Sequence, residues 1–468
     1  MSPPRNRRFR APFRRAGIWL AAFFLLAALA SSVACEGDGP PASGLAPTPT
    51  QAAPTAAPTE TATPAPTPQR PEAEPFPADL QAEAERLLQR IGEVRNSSPK
   101  QSVDMFVLTR EQARAYYSRP AGAQPSEGAA AGTDLKQEVY ELLGMVPPRT
   151  QTGRDLKQQQ VDNLIALITG FYEPDLNALY LLETLNGGLY GGLARSTIVH
   201  ELTHALQYQY ADIAAAERQR ARSWDATTAL LDVIEGDAVN TENLVLGYST
   251  RSTYRQPVCF SIPAPQRQGT PFVVERELDT WYEDGLCFVQ AASRQLPDGV
   301  AGIFERLPET TEQVLHPEKY LANEGAKPAR PAPIAGALGP GWRELGGNTF
   351  GEFGLQNLLL TGLVSDRAGV QAAAAGWGGD AFVLYGNGAS RLFHAETAWD
   401  SDDDAREFFA ALSRSLARRG AALAPASEAS FVAGLAGAEW RAWLRGDAVT
   451  LLVGDDAAAL DAAAAALG

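Results

Sequence analysis

Apolar residues recur at helical spacing over much of the first two thirds of this chain and in short strand-like runs near its end. Leu80, Leu87, Leu88 and Ile91 predict a helix over Ala78–Val94, and further helical stretches are expected at Asp134–Leu143 and Arg154–Ile168. A short apolar run, Ala178–Leu182, has turn residues on both sides and predicts a strand. Leu230, Leu231, Ile234, Ala238 and Leu244 predict a helix over Asp225–Leu246 with Ser223 or Asp225 as its N-cap, and another helix follows at Thr280–Arg294. In the last third, Phe382–Tyr385 and Arg391–Trp399 flank the hairpin signal Gly386-Asn387-Gly388, and Asp402–Arg418 is an amphipathic helix. Trp440–Leu444, Ala448–Val453 and a final Ala-rich helix from Asp455 repeat that order, so an internal ββα repeat forming a small α+β layer is expected.

The start of the chain reads differently. Residues 1–35 combine an Arg-rich opening, an apolar stretch at Ala16–Ala30 and small residues leading to Cys35, which is the pattern of an export signal. Ser32-Val33-Ala34-Cys35 is similar to a bacterial lipoprotein box, with Cys35 as the lipid attachment point and Ser32 where such boxes usually carry Leu. Ordinary signal cleavage and an uncleaved membrane anchor are the alternatives. From Pro40 to Pro77 the chain is rich in Pro, Thr and Ala, too poor in apolar mass to offset ordering, and is expected to be an extended tether over 36–77. All three readings of the leader place the body outside the cytoplasm, at the cell surface or secreted.

Charge narrows the partners. Six of the 40 basic residues fall within 1–35, so the rest of the chain sets 34 against 55 acidic groups. No basic cluster remains to neutralise phosphates, and a nucleic-acid partner is not expected. The membrane contact expected is the N-terminal lipid or signal anchor. Two cysteines remain in the body, Cys259 and Cys287. In an oxidising compartment a disulfide between them is the simplest outcome, and two buried free thiols are the alternative.

The chemistry concentrates in Ser196-Thr197-Ile198-Val199-His200-Glu201-Leu202-Thr203-His204-Ala205-Leu206-Gln207. In a chain with only 4 His, two of them stand four apart on a segment with the apolar residues a buried helix needs. Positions i and i+4 lie about 40° apart on one helix face, so His200 and His204 can aim two nitrogens at one ion. Glu201 then points to the flank, where it can reach a metal-bound water as a general base. A catalytic zinc wants three protein ligands and an open position. Glu235, set among Val233, Ile234 and Ala238, is the expected third ligand, because a buried carboxylate needs a cation or a metal. Asp237 and Glu242 are the other candidates on that helix.

HELTHALQYQY followed by ALLDVIEGDAVN resembles the HExxH zincin metallopeptidases, in the gluzincin arrangement where a Glu on the following helix completes the site. It is most similar to bacterial secreted or lipoprotein metallopeptidase-like proteins with HELTHALQ and EGDA segments. The resemblance implies one zinc on His200, His204 and Glu235, Glu201 as the base, a peptide or protein substrate, and an edge strand over the cleft, matched here to the Tyr180 strand. It departs from the thermolysin type at Val239, where that helix carries Asp, so the acid that supports the ligands must come from elsewhere, Asp232 or Asp237 being candidates. His316, Tyr208 and Tyr210 are candidate oxyanion donors.

The expected organisation is α+β: a zincin-like domain over 78–335 and a C-terminal α+β region over 336–468. The expected function is an exported, membrane-anchored zinc peptidase. The competing expectation is a zinc-stabilised surface binding or adhesion module without catalysis.

Overall fold

The computed structural model describes residues 70–118, 129–153, 155–183, 192–247, 259–265 and 270–468. The leader over 1–35 with Cys35, the tether up to residue 69, the loop at 119–128 and most of the Gly-rich stretch before the motif helix lie outside the described residues. In chain order the strands are β1 (Glu74–Pro75), β2 (Asp104–Leu108), β3 (Gly170–Glu173), β4 (Ala178–Leu182), β5 (Arg343–Asn348), β6 (Trp377–Gly386), β7 (Arg391–Trp399), β8 (Ala422–Ser427), β9 (Ser430–Leu435), β10 (Ala438–Arg445) and β11 (Ala448–Gly454). The helices are α1 (Ala78–Arg95), α2 (Arg110–Tyr117), α3 (Ala129–Leu142), α4 (Arg149–Thr152), α5 (Leu156–Leu167), α6 (Gly192–Tyr210), α7 (Ile213–Arg220), α8 (Trp224–Leu246), α9 (Phe272–Ser293), α10 (Val300–Glu305), α11 (Thr311–Leu315), α12 (Pro317–Leu321), α13 (Gly351–Leu363), α14 (Arg367–Ala374), α15 (Asp402–Arg418) and α16 (Ala457–Leu467). The class is α+β, as the apolar pattern predicts.

The first sheet has the order β1-β2-β4-β3, with β2 parallel and β3 antiparallel to β4. The expected strand at Ala178–Leu182 forms, but it lies inside the sheet; the end strand beside it is β3. Its five buried residues explain this, since a strand covered on both faces reads as continuous apolar sequence. Leu179 and Leu181 pack with Ile91 of α1 and with Ile198 and Leu202 of α6. Ala178, Tyr180 and Leu182 pack on the other face with Tyr116 of α2 and Leu164 of α5. The folded body also starts earlier than expected: β1 pairs with β2, and Phe76 is buried in the α1–α6 core. The Pro-rich composition extends to Pro77, but Phe76 supplies the apolar mass that anchors the end of the tract.

α8 is capped by the Ser223 side chain, which accepts from the Ala226 N–H. It packs closely against α9, which starts two turns before the expected Thr280; Val273, Val274 and Leu278 bury those extra turns. Cys259 and Cys287 are disulfide-bonded with Cα atoms 5.6 Å apart. In the chain-entropy model such a link stabilises by about 3 to 4 kcal/mol.

The second sheet is antiparallel, in the order β5-β6-β7-β11-β10-β9-β8. The β6–β7 and β10–β11 hairpins and α15 follow the sequence reading, and α15 has the expected ends. The ββα repeat holds only in part, because the β8–β9 hairpin is added before the second pair. Across its two strands Phe431 and Val432 are the one aromatic and the one β-branched residue, set among Ala, Ser and Gly, which is too weak a pattern to signal two strands. α15 packs on one face with Phe393, Trp440 and Leu451, whereas α16 packs on the other with Leu392 and Leu452. The largest core runs across the expected boundary at residue 336: Tyr140, Trp224 and Val273 join Phe350, Phe382 and Phe393. Among the described residues no helix is long and apolar enough to cross a membrane.

Where α8 meets α11 and α13, Asp225 is buried and accepts from the Thr311 N–H (2.9 Å) and Oγ1 (2.5 Å). Burial pushes its pKa up to about 7, with Asp380 and Glu352 adding to the rise. A folded-state pKa above the unfolded value means the folded chain keeps a proton that the unfolded chain has lost. Stability from this group therefore falls as pH rises from about 4 to about 7. Asp225→Asn is expected to gain about 3 kcal/mol relative to wild type between pH 5 and pH 8, at about 1.4 kcal/mol per unit. Urea unfolding of both proteins at the two pH values checks this, and parallel profiles would refute it.

Candidate metal centre

α6 carries the HExxH residues because its apolar side chains, Ile198, Val199, Leu202, Ala205 and Leu206, are covered by the first sheet and α1. Its other side meets α8, so the two histidines face Glu235. Gly170 of β3 lets the strand lie against α6: a Cβ there would fall 2.5 Å from Thr197 Cγ2 and 3.7 Å from Glu201 Cγ.

His200 Nε2 is 3.0 Å from Glu235 Oε2, and His204 Nε2 is 3.6 Å from the same oxygen. One ligand atom from each residue lies within 4.8 Å of the others, and all three residues are buried. Four ligands at about 2.1 Å around a tetrahedral ion stand about 3.4 Å apart, so these separations suit a small divalent cation. The electrostatics ask for positive charge. Burial opposes a charge on His200, but the carboxylates of Glu235, Glu242 and Glu201 outweigh it and raise its pKa to about 10. Burial likewise works against ionising Glu235, and the two imidazoles overcome it and lower its pKa. Glu235 Oε1 is buried and makes no hydrogen bond of normal geometry. These residues could hold a metal ion.

Glu201 stands apart from that triad. Neither of its oxygens makes a hydrogen bond of normal geometry. Burial pushes its pKa up to about 7, against the lowering pull of His200, His204 and the Tyr172 main chain.

Two further acids of α8, Asp237 and Glu242, lie around this cluster. Asp237 accepts from Arg95 (2.7 and 2.8 Å) and from Gln207 Nε2 (2.8 Å), and Gln207 Oε1 is 2.9 Å from His204 Nδ1. Glu242 Oε2 lies 3.8 Å from His200 Nδ1, and its other oxygen accepts from the Ser196 hydroxyl. Of the two supporting acids expected, Asp237 is the one linked to a histidine of the cluster, through Gln207; Asp232 instead faces Asp284, and burial with that neighbour raises its pKa well above the ordinary value.

The three expected oxyanion donors are engaged elsewhere. His316 Nε2 is 3.0 Å from Glu352 Oε2, Tyr208 donates to Glu217 (2.5 Å), and Tyr210 bonds to the Ser98 main chain. The tyrosine that does face the site is Tyr282 of α9, whose ring centre is 6.0 Å from that of His200. Burial, then the negative Glu235 and Glu201, push its pKa well above 10, so it keeps its proton. Sequence reading missed Tyr282 because a Tyr in an apolar helix reads as packing. A second carboxylate group, Glu312, Glu324 and Asp400, is already filled by a cation: Lys319 Nζ lies 2.6, 3.1 and 2.5 Å from them.

A family model described as a domain of unknown function, DUF8575, matches residues 341–464. The match covers the second sheet and its helices and leaves His200, Glu201, His204 and Glu235 outside it. No curated protein and no solved structure matches the chain significantly.

Proposed function

We propose that this protein is a zinc-dependent peptidase of the zincin kind, exported and held at the cell surface through Cys35 or a signal anchor. The observation that carries the reading is the buried His200–His204–Glu235 triad, whose ligand atoms lie within 4.8 Å of one another, with Glu201 beside it and outside it. The disulfide supports export, since such bonds persist in oxidising compartments. His200, His204 and Glu235 hold the zinc, which when bound lowers the pKa of water and polarises a carbonyl. Glu201 accepts a proton from the attacking water and passes it to the leaving amine nitrogen. Tyr282 donates its hydroxyl proton in a hydrogen bond to the carbonyl oxygen as negative charge develops there.

The test is zinc content of the purified protein and of Glu235→Ala, with peptide-library cleavage measured with and without chelator. One zinc per chain, weakened on substitution, with chelator-sensitive cleavage is the expected result. The burial of His200, Glu201, His204 and Glu235, each no more than 1% exposed, favours a second reading: a zinc-stabilised surface binding module. Zinc without cleavage would select it, and no zinc would overturn both.

A further inference from the structure

Two ligand histidines flank the same carboxylate, but the protein holds them differently. His200 Nδ1 faces Glu242 Oε2 across 3.8 Å, too far for a hydrogen bond. His204 Nδ1 is held at 2.9 Å by Gln207 Oε1, and Gln207 is itself fully engaged. Its Nε2 lies 2.9 Å from the Ile234 carbonyl oxygen and 2.8 Å from Asp237 Oδ2, which uses both amide hydrogens. Turning the amide over would set its oxygen against those two acceptors. Gln207 Oε1 must therefore face His204, and the hydrogen between them must come from the imidazole. That fixes His204 as the Nδ1–H tautomer and leaves the Nε2 lone pair for the ion.

The arrangement depends on the Asp237 carboxylate staying where it is. Asp237 is fully buried, and Arg95 at the end of α1 is the one cation within ion-pair distance of it among the described residues. Arg95 Nη1 is 2.7 and 2.8 Å from the two carboxylate oxygens and 2.9 Å from Thr241 Oγ1. Without the guanidinium the carboxylate is free to rotate, and Gln207 loses the acceptor that sets its orientation.

We propose that Arg95 is a positioning residue for the metal, acting through Asp237 and Gln207 to hold His204 in the tautomer and orientation that present Nε2. The proposal rests on the metal reading above. It gives a residue on α1, remote from the HExxH motif in sequence, a share in metal affinity. A merely structural Arg95, tying α1 to α8, would affect stability and leave the ligand alone.

The test uses the full chain and three variants: Arg95→Met, Arg95→Lys, and Arg90→Met as a control. Arg90 lies on the exposed side of the same helix, paired with Glu93. Zinc affinity is measured by chelator competition, geometry by the visible spectrum of the cobalt(II)-loaded protein, and stability by thermal unfolding without metal. Arg95→Met is expected to weaken zinc binding at least tenfold and to alter the cobalt spectrum, as loss of a group supporting a ligand does. Arg95→Lys is expected to recover most of the affinity, and Arg90→Met to match wild type. Wild-type affinity in Arg95→Met within a factor of two would overturn the proposal. So would an affinity loss that comes with an unchanged cobalt spectrum and a matching loss of metal-free stability. If the wild type binds no zinc, the metal reading itself fails. His204 then tests the relay directly, because nitrogen NMR of the metal-free protein should show Nδ1–H in wild type and a mixture in Arg95→Met.

Discussion

Glu201→Gln is expected to lower peptide hydrolysis about 10³-fold while zinc content stays at one per chain. The two results separate because Glu201 adjoins the proposed metal ligands without being one: the atoms that converge belong to His200, His204 and Glu235. Gln has the same shape, so His200 and His204 should keep their places on α6. It cannot accept the proton of the attacking water, and a positioned general base contributes on the order of 10² to 10⁴ in rate. The raised pKa of Glu201, about 7 through burial, suits that role, since a base works best when its pKa lies near the working pH. The same burial predicts a second effect. An ionised carboxylate with no hydrogen-bond partner of normal geometry destabilises the fold, so the neutral amide should raise the metal-free unfolding temperature. Metal analysis, initial rates on a peptide library and a thermal scan measure all three. Cleavage within tenfold of wild type would remove Glu201 from the reaction, and loss of zinc would make it a ligand.

What the sequence disclosed about this centre follows from the range of the contacts involved. His200, Glu201 and His204 share one helical turn, so spacing alone aims the two imidazoles at one point. Glu235 was readable because a carboxylate inside the apolar face of an otherwise regular helix needs a reason to be there. Arg95 and Tyr282 left no such mark. Arg95 ends an ordinary amphipathic helix, and its partner Asp237 stands 142 residues away. Tyr282 lies among Trp281, Leu286 and Phe288, where one more aromatic looks like core. Gln207 did carry a signal, being a polar residue three positions after His204 on a buried helix. The place of β4 inside its sheet was equally hidden: its partner β2 lies more than 70 residues earlier, and parallel pairing has no local turn to announce it. In the C-terminal region the β6–β7 and β10–β11 hairpins were readable from their turns and apolar strands, while β8 and β9, where Ala, Ser and Gly outnumber the larger residues, were not.

Gly285→Ala is expected to destabilise the protein by at least about 3 kcal/mol and to weaken zinc binding at the same time. In an exposed helix the change would stabilise, because Ala exceeds Gly in helix propensity by about 1 kcal/mol. Here the backbone of α8 stands in the way. A Cβ on Gly285 would lie 2.1 Å from the Asp232 carbonyl oxygen, and one on Gly236 would lie 2.1 Å from the Gly285 carbonyl carbon. The obstacles are main-chain atoms with no rotamer to change, so the helices must separate, and overpacking of this kind outweighs the propensity gain. Gly236 directly follows Glu235, which ties the crossing to the candidate metal cluster: any shift of α8 away from α9 moves Glu235 against His200 and His204. The small residue in the Glu235-Gly236-Asp237 run is thus required by α9, while on the proposed reading its neighbours on either side serve the ion and the Arg95 relay. Gly325→Ala, at a site with no heavy atom within 4 Å of the added carbon, supplies the control and should change stability by less than about 1 kcal/mol. Denaturant unfolding and zinc titration of the two variants decide the matter: equal stabilities would show that α8 and α9 do not cross in backbone contact.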